Sequence, residues 1–251
     1  MIPLPSQDYR RTDFHAPLPP LKGVDAIVHG VIGTYRRRGK VWETLRSDAE
    51  RVDALAPQFM DLTDHDLQSR LLESRSFFRT AAKRKPEIVL SALACIREAA
   101  DRRLGLRPFI VQLAGALALH RGFLAEMATG EGKTLTAGLA AVLAGWTKRP
   151  CHIVTVNDYL VERDAEWLRP LYEFCGVRAG CVTGPMDAPE RVKGYAADVT
   201  YTTSKELLAD FLRDRLRLGK LTHPTRRLIQ RMMRPRDATS DSLVQRGLHT
   251  A

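Results

Sequence analysis

At 251 residues the chain is long enough to bury a substantial core, in one large domain or two small ones. Hydrophobic residues make up 44% and charged residues 27%, a globular composition, and no apolar run reaches the roughly 18 residues that predict a membrane-spanning helix. The net charge of +10 points to an acidic partner such as anionic lipid or nucleic acid, but arginine dominates the basic residues, a bias that GC-rich coding also produces.

Taken in order, residues 1–22 carry Pro3, Pro5, Pro17, Pro19 and Pro20 and read as an extended, poorly ordered lead-in. Asp8, Asp13 and the early prolines leave no apolar core for a signal peptide, so a cytosolic site is predicted. Residues 23–105 read as a helical segment. Two helical pieces are separated near Arg36-Arg37-Arg38-Gly39-Lys40, with Val41, Leu45, Val52 and Leu55 as an apolar stripe. Thr63, followed three residues later by Asp66, is an N-cap candidate for a helix through about Phe78. Pro86 suits a first helical position, and Val89, Leu93, Ile96, Ala100 and Leu104 recur at helical spacing up to a stop at Gly105.

From Leu106 short apolar strands alternate with helices, which predicts βαβ units and a parallel sheet, an α/β fold. Strands are expected at 123–127, 152–156, 179–182 and 198–203, and helices at 109–119, 135–143, 159–168, 189–195 and 205–215. Between the first strand and its helix lies Met127-Ala128-Thr129-Gly130-Glu131-Gly132-Lys133-Thr134, which has the chemistry of a phosphate loop. Gly130 and Gly132 let the backbone approach an oxyanion, Lys133 can reach β and γ phosphates, and Thr134 can ligate Mg²⁺. The match to G-x-x-x-x-G-K-T is incomplete, because Met127 stands where the pattern has glycine, and glycines before a helix also serve as plain punctuation.

Four cysteines, Cys95, Cys151, Cys175 and Cys181, stand far apart and predict reduced, partly buried thiols, with neither zinc nor disulfides. The seven histidines are scattered, and solvated or core roles are expected for each. Residues 215–236 hold eight basic residues and no acid, and Leu228, Ile229, Met232 and Met233 fall on one helical face. Such a segment can lie on anionic lipid or dock to a partner, or be a solvated insertion.

Several of these segments together resemble the SecA family, the ATPase motors of bacterial preprotein export. Residues 126–134 are similar to its phosphate loop, including the Met in place of glycine, and residues 105–113 to its adenine-recognising segment. The resemblance implies that Gln112 hydrogen-bonds the adenine edge beside Leu106 and Phe109. It also implies that Thr129, Gly130, Glu131, Gly132, Lys133 and Thr134 bind nucleotide, with Thr134 meeting Mg²⁺ through ATP. Residues 152–166, 195–201 and 210–214 follow the next two motifs of the motor. The resemblance covers roughly 46–214, weakly in the helical lead-in and strongly from Gly105 onward.

For function the resemblance implies a helical N-terminal segment on part of a RecA-like nucleotide-binding domain (106–214), with ATP and Mg²⁺ as cofactors. The expected partners are a SecYEG-like translocase channel, preproteins and anionic phospholipid, with no specific nucleic acid. The expected location is cytoplasmic, peripherally attached to the inner face of the membrane. Departures are Ala128, where the family usually has Arg, and Thr202-Thr203-Ser204-Lys205-Glu206 in place of Gly-Thr-Asn-Asn-Glu. The first change alters a phosphate-side contact, and the second bears on signalling between motor and channel. Residues 244–251 resemble the lead into the family's acidic Asp-Glu motif, and no Asp-Glu pair occurs in the 251 residues. The chain therefore reads as an N-terminal fragment, with 215–251 as a basic insertion and truncated end, that hydrolyses ATP poorly or not at all. Two alternatives stand: a fragment of an RNA or DNA helicase motor, or a non-enzymatic module for channel or lipid. Residues 155–160 favour the export motor over a helicase.

Overall fold

The structure, a computed structural model, describes residues 23–37, 41–80, 86–218 and 243–251. The proline-rich lead-in and Leu228, Ile229, Met232 and Met233 of the basic stretch lie outside them. Helices α1 (Val24–Arg37) and α2 (Val41–Ala54) flank the predicted break, and after them comes a short α3 (Pro57–Met60) that the sequence pattern does not announce. Thr63 caps α4 (Asp64–Thr80) as expected: its Oγ1 accepts the Asp66 N–H at 3.2 Å and donates to the Asp66 carboxylate at 2.7 Å. Helix α5 (Pro86–Leu104) opens on its proline and stops at Gly105, whose φ of 67° suits a residue without Cβ.

Beyond Gly105 come α6 (Ile110–His120), α7 (Lys133–Gly145), β1 (Cys151–Thr155), α8 (Asp158–Phe174), β2 (Ala179–Val182), α9 (Ala188–Tyr195), β3 (Val199–Thr203) and α10 (Ser204–Leu218). The sheet is parallel with strand order β1-β3-β2, so α8 crosses from β1 to the far edge and β3 returns to the centre. On the other edge of β1, His152 N donates to Thr250 O at 2.8 Å, and Cys151 and Thr250 form a parallel bridge. The fold is α/β, as the alternation of strands and helices predicts.

Two expectations need correction. Residues 123–127 form no strand: the Phe123 N–H turns back to Ala118 O at 2.9 Å, closing the end of α6, and Leu124 is 99% exposed. An extended run becomes a strand only when a neighbour takes its backbone groups, and no described strand lies beside this one. Helix α8 in turn passes the expected stop at 168 and carries Pro170 inside it. Leu171, Tyr172 and Phe174 are buried beyond that proline, at roughly 1.5–3 kcal/mol each. Their burial outweighs the ~3 kcal/mol of an interior proline.

One cluster of buried side chains runs from Leu45 and Val52 of α2 through α4 to α8 and reaches Val199 and Tyr201 of β3. At its centre Trp146 is fully buried, its Nε1–H donates to Cys175 O at 2.8 Å, and Phe78 meets its ring edge-on at 5.5 Å. The Tyr172 and Tyr201 hydroxyls share a hydrogen bond of 2.6 Å nearby. The cysteines are free thiols, three buried and Cys181 half-buried, and burial pushes Cys95 and Cys151 up to about 12. Among the described residues no group of His, Cys, Asp and Glu could hold a metal ion.

Candidate nucleotide site

Residues 127–134 form a turn that leads into α7. Gly130 and Gly132 take φ of 90° and 81°, and Gly132 is the N-cap of α7. No side chain caps this helix, and its first ladder bond runs from Thr136 N to Gly132 O at 3.0 Å. The N–H groups before that bond are left out of the helix's own ladder, at the positive end of its dipole. Lys133 stands exposed at the first helical position, with Thr134 half-buried behind it. The unladdered N–H groups of the first turn and the exposed Lys133 thus bring donors and positive charge together, the chemistry that favours an anion at a helix N-terminus.

Gln112 joins the second predicted element to the first. It sits in the first turn of α6 and is only 7% exposed. Its Oε1 accepts the Phe109 N–H at 3.0 Å, the backward half of a capping box, and its Nε2 donates to Glu131 O at 2.9 Å. A Cβ on Gly132 would lie 2.3 Å from that Nε2, so loop and glutamine approach as closely as glycine allows. Each amide end keeps one further bonding position. Phe109 is 73% exposed and Leu106 45% exposed, presenting apolar surface beside the glutamine's segment. Thr129, Glu131 and Ala128 are exposed on the loop. Met127 packs inward: a Cβ on Gly115 of α6 would meet Thr136 Cγ2 at 2.8 Å and Met127 Sδ at 3.5 Å. A long thioether there fills the seam between α6 and α7.

Residues 31–251 match the SecA DEAD-like domain family. The chain belongs to that family. Among its relatives, protein translocase subunit SecA 2 of Chlorobium chlorochromatii is 47% identical over 226 residues, covering 90% of this chain and 34% of the relative. The SecA 2 subunit of Magnetococcus marinus is 47% identical over 200 residues, 80% of this chain and 31% of its own length. Protein translocase subunit SecA of Neorickettsia sennetsu is 40% identical over 194 residues, 77% of this chain and 24% of its own length. This SecA-family chain thus spans about a third or less of the relatives it matches.

A second polar cluster, at the carboxyl ends of β2 and β3, draws Tyr195 and Asp210 of the motif segments together around an arginine outside them. Arg191 of α9 is buried and donates to the carbonyls of Thr183, Gly184 and Met186, at 2.9 to 3.0 Å. It also pairs with Glu206 at 2.7 Å and with the buried Asp210 at 2.8 Å. Tyr195 donates to Asp210 at 3.0 Å, and burial pushes this tyrosine well above its usual range. Asp214 accepts the N–H groups of Val244 and Gln245, and burial raises its carboxyl despite those bonds. Glu206, at the end of the stretch that departs from the family run, is therefore engaged in holding the loop after β2. Nothing in the sequence around Arg191, a basic residue in a short helix, signals that it is buried.

Proposed function

We propose that this chain is the ATP-binding part of a SecA-type translocase motor that, in the whole protein, couples ATP hydrolysis to preprotein export across the cytoplasmic membrane. The observation that supports the reading is the Gln112 bridge, which ties residues 105–113 to the 127–134 loop by a hydrogen bond to Glu131 O. In this reading residues 106–214 form the nucleotide-binding unit and 23–105 the helical segment packed on it. Leu106 and Phe109 flank the adenine, and Gln112 reads its edge. Gly130, Glu131 and Gly132 wrap the phosphates with Thr129, Lys133 neutralises them, and Thr134 holds Mg²⁺. Held there, Mg²⁺ would neutralise charge on the phosphates.

The names of the relatives, protein translocase subunits, support a translocase and the proteins it moves as partners, and in this reading the channel is of SecYEG type. Among the described residues no helix is long and apolar enough to cross a membrane. A cytoplasmic protein held at the membrane by anionic phospholipid is the location that fits a motor of this kind. Hydrolysis of a γ phosphate relies on a residue that orients the attacking water, and the Asp-Glu pair that the resemblance assigns to this role does not occur in these 251 residues. In this reading residues 1–251 by themselves bind nucleotide with turnover near background.

Calorimetric titration of the purified chain tests the reading. ATP and ADP bind in preference to GTP, and Lys133→Ala weakens binding with little effect on an already low rate. Equal affinity for GTP and ATP sinks the adenine assignment, and robust hydrolysis that disappears in Lys133→Ala sinks the assignment of a binder without turnover.

A further inference from the structure

The segment between α5 and α6, residues 105–109, has no regular backbone, yet it must hold Leu106 and Phe109 in place if they are to flank a base. What fixes its course is a side chain that no motif includes. Arg97, in the middle of α5, is 6% exposed, and its Nε–H donates to Pro108 O at 2.8 Å. That carbonyl lies one residue outside α6. The helix's own bonds start from Phe109 O, which accepts from Gln112 N at 2.9 Å and Leu113 N at 3.0 Å. Pro108 is buried, so its carbonyl needs a donor from elsewhere. A guanidinium meets the need because it stays charged and offers several donors in a fixed plane.

The same guanidinium pairs through Nη1 with the carboxylate of Asp53 on α2. A buried charge requires such a partner. The chain of contacts then runs from Asp53 through Arg97 to Pro108 O. The next residue, Phe109, donates its N–H to Gln112, whose amide donates to Glu131 O in the phosphate loop. A second tether lies nearer the surface, where Arg107 donates to Asp101 at 2.7 Å and Glu98 at 3.2 Å.

We propose that Arg97, held by Asp53, is a positioning residue for the adenine segment, so that α2 of the helical region sets nucleotide affinity without touching nucleotide. The inference rests on the adenine reading of Leu106, Phe109 and Gln112. Loss of the Arg97 bond frees the Pro108 carbonyl and with it the setting of Phe109 and Gln112. The phosphate loop, built on Gly130, Gly132 and the α7 N-terminus, keeps its own backbone. The effect falls on the base and spares the phosphates.

Titrate the whole chain with ADP and, separately, with inorganic tripolyphosphate, for Arg97→Lys, Arg97→Met and Asp53→Asn, with thermal melts alongside. Arg97→Met should weaken ADP about ten-fold, the scale of a lost charged hydrogen bond, with tripolyphosphate unchanged. Arg97→Lys keeps the charge but loses the planar fork that reaches both partners, and should fall between Met and the unsubstituted chain. Asp53 is half-exposed, so Asp53→Asn folds and still weakens ADP several-fold, which keeps the test open if Arg97→Met is unstable. Equal losses for ADP and tripolyphosphate make Arg97 merely structural and overturn the inference. So does ADP binding unchanged in both Asp53→Asn and Arg97→Lys. If the unsubstituted chain prefers neither ADP over GDP nor ADP over tripolyphosphate, the adenine reading falls and takes this inference with it.

Discussion

At Gly132 a left-handed φ of 81° coincides with a contact that leaves no room for a Cβ, which would lie 2.3 Å from Gln112 Nε2. Gly130 has a φ of 90° but nothing within 4 Å of its Cβ position. Alanine at either site therefore meets about 1–2 kcal/mol of backbone strain, but only Gly132→Ala also drives Gln112 off Glu131 O. Paired denaturation and ADP titrations should show Gly132→Ala less stable than Gly130→Ala by about the 1 kcal/mol of a lost hydrogen bond, with a much larger affinity loss; equal affinities would show that the bridge does not set nucleotide binding. A different residue governs pH. Burial, reinforced by Arg246 and opposed by a Thr250 backbone bond, depresses His152 to about 4, and its Nδ1 has no hydrogen-bond partner. An unfolded histidine takes up its proton near 6.5. Between those values the unfolded state binds more protons, so stability present above 6.5 drains away as pH falls towards 4, by on the order of 3 kcal/mol. Asp214, with its carboxyl raised, works in the opposite direction. Urea midpoints at pH 5 and 7 for His152→Gln against the unsubstituted chain separate the two. The variant should lose less on acidification, and an identical loss would refute the assignment.

Among the elements, α9 and α10 depend on a charge placed between them. Asp210 is 1% exposed, and Arg191 supplies its buried partner while also closing three carbonyls of the loop after β2. Arg191→Met leaves the carboxylate with the surface-exposed Arg213 and Tyr195 for support. Removing one partner of a buried pair costs ~3–5 kcal/mol, and the remaining partners place this case near the lower end. Chemical denaturation is the measurement, and a change under ~1 kcal/mol would show the cluster to be solvated. The cap of α9 gives a smaller, independent figure. Asp187 accepts the Glu190 N–H at 2.8 Å and Glu190 returns the bond at 3.0 Å, so Asp187→Ala should cost about 1 kcal/mol.

For the whole molecule, the buried cluster passes without a break from the helical segment to the sheet, with Phe78 of α4 against Trp146 at the end of α7. Two parts that share a core unfold together. Far-UV circular dichroism and tryptophan fluorescence should report one coincident transition, and Phe78→Ala should lower its midpoint by the ~3–5 kcal/mol of a large core truncation. A fluorescence change that precedes loss of helix would show that the helical segment and the α/β part are separate units.

Much of this was legible in order along the chain. Caps and stops at Thr63, Pro86 and Gly105, the short apolar runs of β2 and β3, and the glycine-rich turn before α7 arise from what each residue can do with its own neighbours. Family motifs pointed to Gln112 in the same way. What the chain order could not reveal depends on groups far apart in sequence. Residues 123–127 have the pattern of a strand, but pairing decides a strand, and here the backbone turns back to Ala118. Pro170 looks like a helix stop until burial of Leu171, Tyr172 and Phe174 is counted. Arg97 and Arg191 look like ordinary helix charges, and only packing shows that each closes a carbonyl and a carboxylate in the interior. Local conformation is set by torsions and short-range bonds that the sequence carries within a few residues. Which charge is buried, and against what, is settled by desolvation and long-range contact, and these exist only once the chain has folded.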